Sequence, residues 1–174
     1  MLSTRLFVAA YCALTFGILH DRRVVDVVTT ANARSEWDHA YDGSDVVTGV
    51  ADGRPFRQAR GWLRYTLATF DDTEVTVACT FAGGAAESLT YDLLVEDRLV
   101  ATRAFAAPSL TPVVVEFAVP FAITREKTSI LVTIRARGGL TPALLELRTI
   151  QDHLEHDQFT SFPQHQQSLG GSDR

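Results

Sequence analysis

The sequence has few cysteines and no excess of basic charge. Its 174 residues include two cysteines, Cys12 and Cys79, and carry a formal net charge of −5. Two cysteines provide neither a disulfide framework nor a cysteine-rich zinc site, so we expect no metal or other cofactor. A net acidic chain lacks the basic face that phosphate-backbone binding requires, and we therefore expect no nucleic-acid partner.

The sequence also lacks an apolar run long enough to cross a membrane. Residues 1–20 contain an apolar run from Leu6 to Leu19, whereas a spanning helix needs roughly 20 apolar residues. Arg5 before this run is typical of a signal peptide, but no A-x-A-like cleavage site follows. We therefore expect residues 1–20 to be an apolar N-terminal segment, either signal-like or a remnant helix. A cytoplasmic location is slightly favoured over secretion.

Long helical patterns are missing after Trp62, where apolar and polar residues alternate. Six stretches show this period of two, and turn residues such as Gly83-Gly84 and Gly138-Gly139 separate them. Alternation of this kind is typical of antiparallel sheets that are covered on one side. We predict an all-β, antiparallel, jelly-roll-like β-sandwich of about eight strands over residues 21–150, with Cys79 as a buried thiol.

The segments on either side of these strands have a different composition. Residues 29–60 are rich in Gly, Asp, Ser and Thr and predict a segment that is mostly loop. Residues 151–174 are rich in Gln and His and predict a disordered tail.

The unusual polar residues concentrate in the predicted loop. If this segment is extended, Glu36 and Asp38 lie on the same side and form paired carboxylates, as in glycoside hydrolases. A Ser-His-Asp triad with His39 is a weaker hypothesis, because no G-x-S-x-G motif supports it.

A structural role for the same residues is the main alternative to catalysis. Glu36 and Asp38 paired with Arg57 or Arg60 would hold the loop on the sandwich, with Trp62 anchoring its end. A third interpretation is sugar binding, in which aromatic rings stack on the sugar and polar groups bind its hydroxyls. The candidate binding or interface residues are Glu36, Trp37, Asp38, His39, Tyr41, Arg57 and Trp62.

Several spaced motifs resemble a known module. They are Glu36-x-Asp38-His39, Arg57-x-Ala59, Gly61-Trp62-Leu63-Arg64-Tyr65, Tyr91-Asp92-Leu93-Leu94-Val95 and Val119-Pro120. The set is similar to the C-terminal β-sandwich module, a domain of unknown function, that follows the catalytic barrel in bacterial β-L-arabinofuranosidase-like glycoside hydrolases. The resemblance covers about residues 24–150. Leu63-Arg64 replaces Phe-Ser, and Asp97-Arg98 stands where Asp-Gly is expected, which argues against a tight type I′ hairpin there.

The resemblance implies a non-catalytic accessory module of a carbohydrate-active protein, because the barrel and its zinc-bound cysteine cluster are absent from this sequence. Its expected partner is a catalytic barrel domain or a glycan. Two alternatives remain open: a carbohydrate-binding module for arabinose-containing glycans, and a small stand-alone glycoside hydrolase that uses Glu36 and Asp38.

Overall fold

The computed structural model describes residues 21–70 and 73–153, which form nine strands and two short helices. Their bounds are β1 Asp21–Thr29, α1 Ala33–Asp38, β2 Asp42–Ala51, β3 Arg54–Ala68, β4 Val75–Phe81, β5 Ala85–Val95, β6 Arg98–Ala107, β7 Val113–Val119, α2 Phe121–Thr124, β8 Ser129–Ala136 and β9 Leu144–His153. The fold is all-β and antiparallel, as predicted, with nine strands instead of about eight. The predicted apolar N-terminal segment, Cys12 and most of the predicted tail lie outside the described residues.

All nine strands belong to one continuous sheet that folds over on itself. Strands β2-β3-β8-β5-β6 form one layer, and β1-β9-β4-β7 form the other. The two layers join where Arg57 of β3 pairs with Leu144 of β9. The result is a sandwich that is closed along this side.

The core lies between the two layers and contains the inward residues of the alternating strands. Phe81 of β4 contacts Tyr91 of β5 and Phe105 of β6, with ring centroids 5.3 and 5.1 Å apart. Tyr91 also contacts Phe117 of β7 at 6.3 Å. Cys79 is completely buried, which confirms the prediction for this thiol. Because these rings join opposite layers, Phe81→Ala should cost about 3–5 kcal/mol.

The segment 29–60 is not mostly loop, and that prediction was wrong. It contains α1, all of β2 and the first part of β3. The helix begins after Asn32, whose side chain accepts hydrogen bonds from the backbone N–H groups of Arg34 and Ser35 at 3.1 and 3.0 Å. Asparagine is among the best N-cap residues, so these bonds explain why a six-residue helix starts here.

Two other predicted features differ from the structure. The β5–β6 hairpin turns at Glu96-Asp97, one residue earlier than predicted, with both residues at positive φ. The tight hairpin therefore forms without Arg98 in the left-handed region, and Glu96 is held by hydrogen bonds with the backbone of Leu131. Strand β9 extends to His153, three residues beyond the predicted module boundary at residue 150.

Candidate functional site

The helix α1 lies across the gap between β1 and β3, at one side of the sandwich. The backbone carbonyl of His39, the residue after α1, accepts a hydrogen bond from the backbone N–H of Thr66 on β3 at 2.8 Å. The Ser35 hydroxyl accepts one from the backbone N–H of Thr29 on β1 at 3.0 Å. The helix therefore connects the two layers where their strands are not paired with each other.

Glu36 lies on the buried side of α1 and bonds through both carboxylate oxygens. Its Oε1 atom accepts hydrogen bonds from the Ala31 backbone N–H at 2.7 Å and from Arg57 Nε at 2.9 Å. Its Oε2 atom accepts a third from Arg57 Nη2 at 2.8 Å. This bidentate pair is buried, since the Glu36 side chain is 7% exposed and that of Arg57 22%. Such geometry gives the strongest type of ion pair.

The Arg57 guanidinium also contacts Thr48 and Tyr41. Its third nitrogen, Nη1, donates to the hydroxyl of Thr48 on β2. Its carbon Cζ lies 5.2 Å from the centre of the Tyr41 ring, which in turn stacks on Tyr65 at 5.1 Å. The hydrogen bond to Glu36 outweighs the effect of burial and raises the pKa of Arg57. All three nitrogens of this side chain are therefore bonded within the protein.

His39 and Asp26 form a second connection between α1, β1 and β3. His39 Nε2 lies 3.0 Å from Asp26 Oδ1, and Nδ1 lies 2.6 Å from the Ser35 carbonyl oxygen. Asp26 Oδ2 accepts a hydrogen bond from the backbone N–H of Ala68 at 2.7 Å. Burial opposes the charged forms and is the largest single influence, but the mutual hydrogen bond, the backbone hydrogen bonds and the charge attraction together outweigh it, so the pKa of His39 is raised and that of Asp26 is lowered.

Trp37 is the exposed part of this region. Its side chain is 83% exposed, the highest value among the large apolar residues that the structure describes. It borders an open depression of about 410 Å³ that is also lined by Glu36, Ala40 and Tyr41. An indole exposed to this degree presents apolar area and an N–H group to solvent.

The structure brings together most of the predicted site residues but separates Trp62 from them. Glu36, His39, Tyr41 and Arg57 form the buried polar cluster, and Trp37 lies on its outer side. Trp62 points away from the core on β3, where the Arg64 guanidinium lies 4.7 Å from its ring centre. That Trp62 anchors the end of the segment stays a prediction; its backbone pairs with Ser44 of β2.

The paired-carboxylate geometry does not form either. Glu36 and Asp38 are on a helix instead of an extended segment, and residues two apart on a helix do not face each other. Asp38 pairs with Arg34 at 2.9 Å, not with Arg57 or Arg60. A Ser-His-Asp triad is not assembled, since His39 contacts the Ser35 carbonyl and Asp26.

A second polar cluster, on the outer face of the β2-β3-β8-β5-β6 layer, was missed by the sequence analysis. Asp92 of β5 is completely buried there and binds Arg135, Arg137 and Thr102. The alternation of β5 correctly places Asp92 away from the core, but that pattern alone predicts an exposed carboxylate. The arginines that cover it come from β8 and from the residue just after it, so the sequence of β5 gives no signal for them.

No cluster of candidate metal ligands and no membrane-spanning helix is found among residues 21–70 and 73–153. Within residues 21–70 and 73–153, no three His, Cys, Asp or Glu side chains form a group suited to hold a metal ion. Neither helix of this part of the chain has the length and apolar character of a transmembrane span.

Comparison with known protein families identifies the chain. A family model described as a family of unknown function, DUF6805, matches residues 20–150. The chain belongs to the DUF6805 family. No curated protein sequence matches it.

Solved structures show what this DUF6805 domain is similar to. A family 35 carbohydrate-binding module from an environmental isolate superposes with a TM-score of 0.54 at 12% identity, covering 73% of this chain and 96% of the module. A CBM35 from Cellvibrio japonicus gives 0.52 at 9% identity, covering 74% and 98%. An exo-β-1,3-galactanase from Phanerochaete chrysosporium gives 0.51 at 10% identity, covering 71% of this chain and 28% of the enzyme. At these identities the likeness establishes a shared fold.

Proposed function

We propose that this DUF6805 domain is a non-catalytic accessory module of a carbohydrate-active protein and docks on a catalytic barrel through the surface around Trp37. The observation that carries this proposal is the exposed indole on a helix whose neighbouring polar groups are already bonded internally. Tryptophan is enriched among the residues that contribute most to protein–protein binding.

The polar groups near Trp37 favour a protein partner over a sugar at this surface. A sugar site combines a flat apolar group with polar groups that remain available for hydroxyls. Here both oxygens of Glu36 and all three nitrogens of Arg57 have partners, and so do both ring nitrogens of His39. What the surface offers is mainly apolar area held at a fixed position.

The same bonds support a non-catalytic role. Glu36 would have to break a buried bidentate ion pair to act as an acid or nucleophile, and that costs several kcal/mol. Asp38 is paired with Arg34 on the solvent side of the helix and does not face Glu36 across a cleft.

The carbohydrate context rests on two independent supports. The spaced motifs resemble the module that follows β-L-arabinofuranosidase-like barrels, and two motif residues, Glu36 and Arg57, bind each other in the structure. The fold is similar over almost the full length of family 35 carbohydrate-binding modules.

The test is association with a separately expressed β-L-arabinofuranosidase-like barrel, measured by co-purification and calorimetry. We expect binding by the wild-type chain and at least about tenfold weaker binding by Trp37→Ala, the size expected for a central interface residue. Leu110→Ala is the matched control, because Leu110 is also highly exposed, at 79%, but is far from α1 in sequence. No affinity of the wild-type chain, or equal losses in both variants, would contradict the proposal.

A second candidate function is recognition of arabinose-containing glycans at the depression beside Trp37 and Tyr41. Its size of about 410 Å³ and the likeness to family 35 modules favour this alternative. Titration with arabinose-containing oligosaccharides tests it, and the absence of heat at millimolar ligand would eliminate it.

A further inference from the structure

The outer face of the β2-β3-β8-β5-β6 layer carries a row of polar residues on neighbouring strands. Strand pairing places Trp62 of β3 opposite Arg135 of β8, Arg135 opposite Asp92 of β5, and Asp92 opposite Thr102 of β6. The row crosses four strands and lies on the face away from the core. The backbone positions of these residues are therefore set by the hydrogen-bonded pairing of the sheet.

Asp92 forms the base of this row. Asp92 Oδ1 accepts hydrogen bonds from Thr102 Oγ1 at 2.7 Å and Arg137 Nε at 2.6 Å, and Oδ2 accepts one from Arg135 Nη2 at 2.8 Å. The carboxylate has no exposed surface. It neutralises one of the two positive charges above it, so the pair of arginines keeps a net positive charge.

The two guanidiniums remain available on their outer sides. The side chains of Arg135 and Arg137 are 48% and 51% exposed. Each uses one nitrogen for Asp92, and the other nitrogens have no partner among residues 21–70 and 73–153. Arginine presents its N–H groups in a planar fork that matches a carboxylate, and here two such forks are held side by side before any ligand arrives.

We infer that this face binds the carboxylate of an acidic sugar. Charge complementarity supports an anionic ligand, because a local positive pair on a chain of net charge −5 is not a consequence of general basicity. Trp62 is half-buried beside Arg135 and has the Arg64 guanidinium over its ring at 4.7 Å, so the part of the indole that Arg64 leaves exposed adds the apolar surface that packs on a sugar ring. The site goes beyond the proposed docking role and uses a different surface, so either proposal can fail without the other.

The experiment is calorimetric titration of the full chain with trigalacturonate and with the same trimer methyl-esterified at its carboxyl groups. We expect binding of the acid trimer, weaker binding as salt is raised, and little binding of the neutral ester. Arg137→Gln should weaken binding about tenfold or more, because it removes charge-assisted hydrogen bonds. Arg137→Lys should recover part of the loss, since it keeps the charge without the fork.

Arg54→Gln is the matched control. It removes the same charge from an exposed arginine at the β2–β3 turn and should leave binding unchanged. Equal affinities for acid and ester, or equal effects of Arg54→Gln and Arg137→Gln, would overturn the inference. Tighter binding of an acidic peptide, or full competition by sulfate, would also overturn it by assigning the face to a protein or to anions in general.

Discussion

Two clusters in this domain each contain a buried carboxylate paired with arginine, but their arginines differ in solvent exposure. In one, Glu36 is buried against Arg57; in the other, Asp92 is buried beneath Arg135 and Arg137. The Arg57 side chain is 22% exposed and all its nitrogens are bonded, whereas the two outer arginines are about half exposed and keep nitrogens that have no partner within the described part of the chain. A buried carboxylate therefore does not by itself mark a binding site. Whether the cluster can bind a ligand depends on how many N–H groups of the partner arginines are still without a hydrogen bond.

The first cluster stabilises the fold and the second presents charge to solvent. Glu36, Arg57, His39 and Asp26 attach α1 to β1, β2 and β3. The outer arginines are attached through Asp92 to β5 and point away from the core. Variants in the two clusters should consequently separate effects on stability from effects on binding.

Among the residues of the two clusters, the largest effect is expected at Glu36. Glu36→Gln leaves the Arg57 charge buried without a full partner and should lower the free energy of unfolding by about 3 kcal/mol. Asp38→Asn is the matched control, because its ion pair with Arg34 is exposed and such pairs contribute about 0.5 kcal/mol or less. Urea unfolding measures both, and similar small losses would contradict a structural role for Glu36.

A smaller loss is expected at Asp92. Asp92→Asn weakens three hydrogen bonds but leaves two half-exposed guanidiniums that water can solvate, so we expect a cost of about 2 kcal/mol. If Asp92→Asn lowers the free energy of unfolding more than Glu36→Gln does, the Asp92 cluster contributes more to stability than the Glu36 cluster, contrary to expectation. Both variants should be compared in the same denaturant series.

The contribution of His39 should depend on pH. The raised pKa of His39 means that its pairing stabilises the fold fully below its unfolded value of 6.5 and is lost as pH rises through the folded pKa. The lowered pKa of Asp26 means that its contribution is present above 3.8. His39→Gln should therefore cost about 1 kcal/mol near pH 5 and less near pH 8.5. A cost that does not change with pH would exclude the charged pair.

The smallest effect on stability is expected at Trp37. Because its side chain is 83% exposed, Trp37→Ala should change the free energy of unfolding by less than about 0.5 kcal/mol. Thermal and urea unfolding check this. A large loss would show that the indole packs within the domain instead of serving as a contact surface.

Much of the fold follows from the sequence because alternation reports burial directly. The alternating stretches at Leu63–Leu67, Val75–Phe81 and Tyr91–Val95 are strands whose apolar members lie in the core. The segment 29–60 was misjudged because β2 has glycines and aspartates and lacks this alternation. The N-cap residue Asn32 was the local signal for α1.

The partner of Glu36 could be predicted from the sequence only in part. The sequence offered Arg57 or Arg60, and the structure selects Arg57. Arg57 lies two residues before the buried Ala59 and shares its face of β3, whereas Arg60 is on the other face. The choice required knowing that β3 begins at Arg54 instead of near Trp62. Asp92 could not be identified because its burial depends on the long side chains of Arg135 in β8 and Arg137 just after it.

Whether the Glu36–Arg57 pair holds α1 on the sandwich is tested by a double-mutant cycle of Glu36→Gln and Arg57→Gln, measured by urea unfolding. If the pair holds α1 on the sandwich, the double variant should lose about 2 kcal/mol less than the sum of the single losses. Losses that simply add would show that the two residues do not depend on each other, and the structural role assigned to the buried cluster would be wrong.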